Sequence, residues 1–184
     1  MSIRSVVRRV GASAEIVSIH IASYVPVQAF RILVLRLWGA RIGRGVAISH
    51  GLTVRGARAL VIEDDVYIAE SVVLDARGGL SIGASTSINA GAQLWSAQHD
   101  WQDADFAYVK STTSVGHHCW ICSRAVVLPG VSVGNGTVVG AGAVVSTSLP
   151  EWHLAVGVPA AAIRERPKGL QYRLMAHKNK PLWW

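Results

Sequence analysis

Residues 115–145 read VGHHCWICSRAVVLPGVSVGNGTVVGAGAVV. An aliphatic side chain returns at every sixth position: Val115, Ile121, Val127, Val133, Val139 and Val145. Six is neither the 3.6-residue period of an α-helix nor the two-residue alternation of one strand. It suits a chain that turns a corner every six residues and points one branched side chain inward on each side. Three sides make a rung of roughly eighteen residues, and stacked rungs make a solenoid in which each rung touches mainly its neighbours.

The register extends upstream through Ile42, Ile48, Val54, Ile62, Ile68, Leu74, Ile82, Ile88 and Leu94. Two steps are eight residues instead of six, and they insert Gly56–Ala59 and Ala76–Gly79 twenty residues apart. That spacing predicts two bulges stacked at one corner. Glycine often follows the aliphatic position, as at Gly43, Gly83, Gly116, Gly134 and Gly140. Its tolerance of positive φ suits a corner. Small or apolar residues such as Val66, Val72, Ala92, Cys119, Ala125 and Val131 precede the aliphatic position by two.

The sequence thus predicts an all-β solenoid over residues 41–150, with an N-terminal helical arm and cap in residues 1–40. Phe30, Leu33, Val34, Leu37 and Trp38 are spaced as one helical face, ended by Gly39. The expectation is that this face covers the open first rung, since an uncovered solenoid end exposes unpaired strand edges. A second reading makes it an interfacial membrane helix carrying Arg31 and Arg36. Residues 151–184 form a C-terminal segment, expected to hold a short helix at Lys168–His177 and a basic tail ending Trp183–Trp184.

Composition agrees with a narrow column. Hydrophobic residues make up 51% of the 184, aromatics only 7%, and 18 are glycine. Such a column holds Val, Ile and Ala but few rings. Two cysteines are too few for a disulfide framework. Ile16–Phe30 is uncharged but, at 15 residues, shorter than the ~20 that span a bilayer. No signal-peptide pattern is read, so the expected location is the cytoplasm, with membrane association left open to the basic ends. The net charge of +7 divides into +6 for residues 1–44, −4 for 45–163 and +5 for 164–184. Nucleic acid is a poor match, because the cations sit in the arms and no base-reading module accompanies them.

The sixes stop at Leu94 and resume at Val115. Between them lies WSAQHDWQDADFAYVKST, Trp95–Thr112. A loop of this length inside a compact domain usually has a function, and its aromatics predict an ordered excursion. His99 stands out as a general base, with Asp100, Asp103 or Asp105 to orient it. Cys119 and Cys122 resemble a redox or zinc pair, but the register sends Cys119 inward and Cys122 outward, so no metal is expected.

The hexads, Ser96-Ala97-Gln98-His99-Asp100, Trp120-Ile121-Cys122-Ser123, Val127-Leu128-Pro129-Gly130-Val131, Val139–Val144 and Gly157-Val158-Pro159-Ala160 occur in that order. Together, over about Gly39–Pro167, they resemble the hexapeptide-repeat acyltransferases, especially sugar O-acetyltransferases of the galactoside, maltose and colanic-acid type. The resemblance implies a left-handed parallel β-helix and a homotrimer, with acetyl-CoA in the groove between subunits and a sugar as acceptor. It implies His99 as the base that deprotonates the acceptor hydroxyl. Ser123 is implied as the donor that holds the thioester oxygen, a role worth about 3 kcal/mol in other enzymes. It places Gly140, Ala141, Ser146 and Arg164 on the coenzyme, while Thr147 and Ala161 stand where basic residues are frequent. Arg164, Arg166 or Lys168 could compensate. Asp75 matches an acceptor-contacting acid or else shapes the Arg77 corner; Trp95, Asp100, Trp120 and His118 are the remaining candidates to contact substrate. Two alternatives stay open. One is a zinc hydratase of the γ-carbonic-anhydrase type built on His99, His117 and His118, although the last two should point opposite ways along an extended side. The other is a non-catalytic solenoid that binds a partner or membrane through its arms.

Overall fold

The computed structural model describes residues 3–174. Two helices, α1 (Ile3–Ser23) and α2 (Gln28–Leu37), precede a left-handed parallel β-helix of triangular section. Its first side stacks Arg41–Ile42, Leu60–Ile62, Leu80–Ile82, Thr113–Val115 and Ser132–Val133. The second stacks Ala47–Ile48, Tyr67–Ile68, Ser87–Ile88, Trp120–Ile121, Val138–Val139 and His153–Val156. The third stacks Thr53–Arg55, Val73–Asp75, Gln93–Leu94, Val126–Val127 and Val144–Val145.

Register follows the sequence spacing. Ile42 pairs with Ile62 and Ile62 with Ile82, so the rungs that carry bulges repeat at twenty residues. Val115 pairs with Val133 and Ile121 with Val139, at eighteen. The column is continuous: every hexad aliphatic from Ile48 to Val145 is at most 3% exposed, and Ile42 packs on it half-buried. The two bulges do stack. The Ala76 N–H donates to the Arg55 carbonyl, and Gly56 sits directly under Arg77.

The glycines after the aliphatic positions have a different reason from the one expected. Gly83 and Gly116 do not adopt positive φ. A Cβ on Gly83 would stand 2.6 Å from the Gly116 carbonyl carbon, so close approach between rungs excludes a side chain. The left-handed conformation falls two residues later instead, on Asp65, Ser85 and His118, with φ from 54° to 61°.

The cap also differs from expectation. Residues 3–23, within the expected helical arm and cap but given no helical face of their own, form α1, which packs Ser18, Ile19 and Ala22 inward. Glu15 accepts the Ala57 N–H at 2.6 Å, and the Ser23 carbonyl accepts Gly51 N–H at 3.1 Å. In α2 the buried residues are Arg31 and Leu35, while Phe30, Leu33 and Leu37 are exposed. The apolar spacing is therefore only partly right: Val34 and Trp38 pack against the column, but Phe30, Leu33 and Leu37 face away from it. The open rung presents carbonyls, and a guanidinium answers them better than a hydrocarbon. Arg31 donates to the Ile48 carbonyl at 2.8 and 3.0 Å and to the Val25 carbonyl at 2.5 Å. It is consequently unavailable as a headgroup contact. No helix among the described residues is long and apolar enough to cross a membrane.

Past the last rung, Ala161–Glu165 returns antiparallel on His153–Val156. The expected helix is absent over residues 168–174, and the rest of it lies outside the described residues, as does the Trp183–Trp184 tail. Pro167 and Gly169 flank Lys168 and disfavour a helix start there. The segment instead straps back along the corner between the first and second sides. Arg166 donates to the His118 and Gly136 carbonyls, both at 2.8 Å. The Tyr172 hydroxyl donates to the His118 carbonyl, and the Leu174 N–H to the Asp65 carboxylate.

Candidate active site

The excursion is an antiparallel hairpin of Ala97–His99 and Tyr108–Lys110, with His99 opposite Tyr108. It leaves the corner between the third and first sides, directly above the two bulges. Its stem is tied to the upper bulge, Ala76–Gly79. The Gly78 N–H donates to Ser96 Oγ at 2.8 Å, and the Thr112 hydroxyl donates to the Gly78 carbonyl at 3.0 Å. The Thr113 hydroxyl donates to the Trp95 carbonyl at 2.7 Å. A Cβ on Gly78 would collide with the Ser96 carbonyl, so the hairpin sits on bare backbone.

Asp75 belongs to this corner. Its carboxylate is fully buried and accepts a fork from Arg77, with Nη2 at 2.6 Å and Nε at 2.9 Å. That bond raises the Arg77 pKa further. The Arg77 guanidinium also lies 5.3 Å from the centre of the Tyr108 ring. Of the two roles open to Asp75, the geometry supports the structural one: its oxygens are spent on Arg77 and none is exposed.

His99 Nδ1 lies 2.7 Å from the Phe106 carbonyl oxygen. A carbonyl only accepts, so in the neutral ring Nδ1 is the nitrogen that donates to it and Nε2 is the one that can accept. The ring stacks on Phe106 at 4.3 Å, nearly parallel, and leans on Tyr108 at 5.6 Å. Orientation therefore comes from a backbone carbonyl and two rings, not from an aspartate as expected. Asp100 instead accepts Gln102 N–H, and Asp103 accepts the N–H groups of Asp105 and Ala107. These bonds bend the loop so that Phe106, at φ 51°, presents its carbonyl to His99.

The other predicted residues fall into separate places. Ser123, Gly140 and Ala141 stack on the corner between the second and third sides, where the Gly142 N–H donates to the Ser123 carbonyl at 3.0 Å. Trp95 shares the hairpin's corner; its Nε1–H donates to Gln93, and Arg55 lies 5.7 Å from its ring centre. Ser146 is exposed at that same corner, two rungs further on. Trp120 is 45% exposed on the second side, between Ser87 and Val138. Arg164 is exposed on the final strand, opposite Leu154.

His118 is set apart from all of these, on the remaining corner under the C-terminal strap. Its positive φ turns it toward His117, and the two Nδ1 atoms are 3.0 Å apart. The expectation that these rings diverge is therefore wrong: the site is a turn, not an extended side. Burial lowers the His118 pKa, and His117 lowers it further. Arg166, offered as a coenzyme cation, is spent on carbonyls here. Cys119 is buried, and burial pushes its thiol up to about 11. Cys122 is half-buried, and both thiols are free. Among the described residues no three His, Cys, Asp or Glu side chains converge to hold a metal ion. Sequence reasoning named Arg77 only as the corner beside Asp75 and missed the contacts of Tyr108 and the Phe106 carbonyl with His99; only the aromatic content of the loop hinted at the rings.

Over residues 112–147 the chain matches the family described as "Bacterial transferase hexapeptide (six repeats)". It is 35% identical over 137 residues to "Putative colanic acid biosynthesis acetyltransferase WcaF" of Escherichia coli (strain K12), covering 74% of this chain and 75% of that protein. It is 31% identical over 124 residues to a galactoside O-acetyltransferase of the same organism, covering 67% of this chain and 53% of that one. The solved hexapeptide-repeat-containing acetyltransferase from Vibrio cholerae shares the fold, with a TM-score of 0.78 and 21% identity over 91% of this chain and 95% of its own. With hexads forming the whole column and 35% identity running through three quarters of both proteins, the chain belongs to the hexapeptide-repeat acetyltransferases.

Proposed function

We propose that this enzyme transfers acetyl from acetyl-CoA directly to a sugar hydroxyl, in a cell-surface polysaccharide, a glycolipid or a glycosylated metabolite. The observation that carries this reading is the 2.7 Å contact from His99 Nδ1 to the Phe106 carbonyl. It locks the tautomer whose Nε2 accepts a proton. A base of this kind contributes about 10²–10⁴-fold.

In the proposed reaction, Nε2 of His99 takes the hydroxyl proton as the acceptor oxygen attacks the thioester carbonyl. The backbone N–H and hydroxyl of Ser123 stabilise the oxyanion of the tetrahedral intermediate. As the carbonyl re-forms, the carbon–sulfur bond breaks, and His99 returns its proton to the departing thiolate. No acetyl-enzyme forms.

His99 and Ser123 leave different corners of one prism, so one chain presents half of each site. A homotrimer would set the hairpin corner of one copy against the Ser123 corner of the next. Gly140, Ala141 and Ser146 would then flank the pantetheine arm, where small residues leave room for it. Arg164 remains to meet the coenzyme phosphates, with Lys168 nearby in sequence. Trp95, Asp100 and Trp120 would flank the acceptor. The names of the relatives support both the acetyl donor and the sugar acceptor.

The test is thiol release from acetyl-CoA against a panel of sugars and lipid-linked glycans. His99→Ala should lose about 10²-fold or more in kcat. Turnover near that of the unaltered enzyme would remove His99 from the mechanism.

A further inference from the structure

Among the described residues, ten of the sixteen exposed large hydrophobic side chains lie between Val6 and Leu37. In α1, Val6, Val10, Val17 and Ile21 recur at helical spacing and form one stripe. Val10 is 62% exposed and Ile21 is 64% exposed. The other face of α1, through Ser18, Ile19 and Ala22, is the one packed on the solenoid. In α2, Phe30, Leu33 and Leu37 form a second stripe, and Leu37 is 76% exposed. Tyr24 and Val27, in the turn between the helices, are exposed as well. Scattered apolar residues on a surface are ordinary, but concentration on two adjoining elements marks an interaction site.

Charge identifies the occupant. Residues 1–44 carry +6, while the solenoid, residues 45–163, carries −4. Arg4, Arg8 and Arg9 fall in the first half of α1. Beside α2 a groove is lined by Ile32, Leu33, Arg36 and Arg44; Arg36 is exposed, and although its Nη2 donates to the Ile42 carbonyl at 2.8 Å, its charge still faces solvent. The Arg44 side chain is 95% exposed, and its ion pair with Asp64 is long, at 3.6 Å. Cations thus border the apolar stripe at Leu33. A second copy of this face would bring another +6 against the first. An anionic lipid surface would instead neutralise the arginines while its acyl region takes up the stripes. We infer that the α1–α2 pair is a docking surface for an anionic phospholipid bilayer, lying in the interface without spanning it. The acidic solenoid would be held away from the bilayer, keeping its corners free.

Flotation with vesicles tests this, and the readout needs no turnover, so it stands or falls apart from the acetyl-transfer reading. The unaltered chain should float with vesicles of phosphatidylcholine mixed with phosphatidylglycerol, and less with phosphatidylcholine alone. Arg36→Gln and Arg44→Gln should each lower partitioning about fivefold, the worth of one cation near an anionic surface. Ile21→Glu combined with Leu37→Glu should abolish flotation while the circular dichroism spectrum and thiol release in solution stay unchanged. Failure of the unaltered chain to float with anionic vesicles overturns the inference, as does undiminished flotation of the glutamate variant. Loss of oligomer in that variant by light scattering, without vesicles, would assign the face to a second copy and overturn it too.

Discussion

The aliphatic column and the hairpin at residues 97–110 are built on opposite rules. Each column position repeats its neighbour: a branched side chain points inward and the backbone pairs with the rungs above and below. None of the aliphatic side chains at the hexad positions has a group that could do chemistry. The hairpin repeats nothing. Its two short strands would be marginal in isolation, and they are held by a few polar bonds to bare backbone at Gly78. His99 sits on it, exposed, between two rings. The contrast teaches that this fold separates stability from reactivity along the chain. Substitutions in one region should therefore spare the property that belongs to the other.

The largest break in that division would come from His99→Ala. It should cost about 10²-fold or more in thiol release and leave the denaturation midpoint unmoved, because the ring supports no core contact. Ile88→Ala is the mirror experiment. Ile88 is fully buried in mid-column, so unfolding free energy should fall by about 2–5 kcal/mol in a urea titration, while the folded fraction turns over normally.

A pH experiment probes the column next. The Cys119 thiol is pushed from its ordinary value of 9.0 up to about 11 by burial. The folded state thus holds its proton where the unfolded state has lost it. Stability should be intact below pH 9 and decline as pH rises toward 11, by about 1.4 kcal/mol per unit at most. Cys119→Ala should flatten that decline in denaturation curves taken across the range. Smallest is Asp103→Ala. It removes the acceptor for two loop N–H groups and should lower kcat several-fold by loosening the Phe106 carbonyl. Restoration of kcat by Asp103→Asn would separate this positioning role from a charge effect.

Much of the fold was legible because its code is local. Hexad spacing shows directly as buried columns, and the two eight-residue steps show as stacked bulges. The hairpin was legible as an interruption of the repeat. Its histidine stood out as the single imidazole in that interruption. What holds the histidine was not legible, since a carbonyl belongs to every residue and no letter marks the one that bends back. The aspartates looked like its partners by proximity in sequence, but three-dimensional neighbours decided otherwise. The cap misled for a similar reason. Leu33 and Leu37 are as apolar as any core pair, yet the open rung demanded donors, and Arg31 met that demand.

The sequence alone determined the period, the column and the place where the chain departs from it. These depend on side-chain volume and spacing, which composition and order fully express. Tertiary structure decided which helix face is covered, which corner each site residue occupies and which nitrogen of His99 faces the Phe106 carbonyl. Those outcomes depend on backbone groups meeting across rungs, where hydrogen-bond geometry selects among arrangements that residue order leaves equivalent.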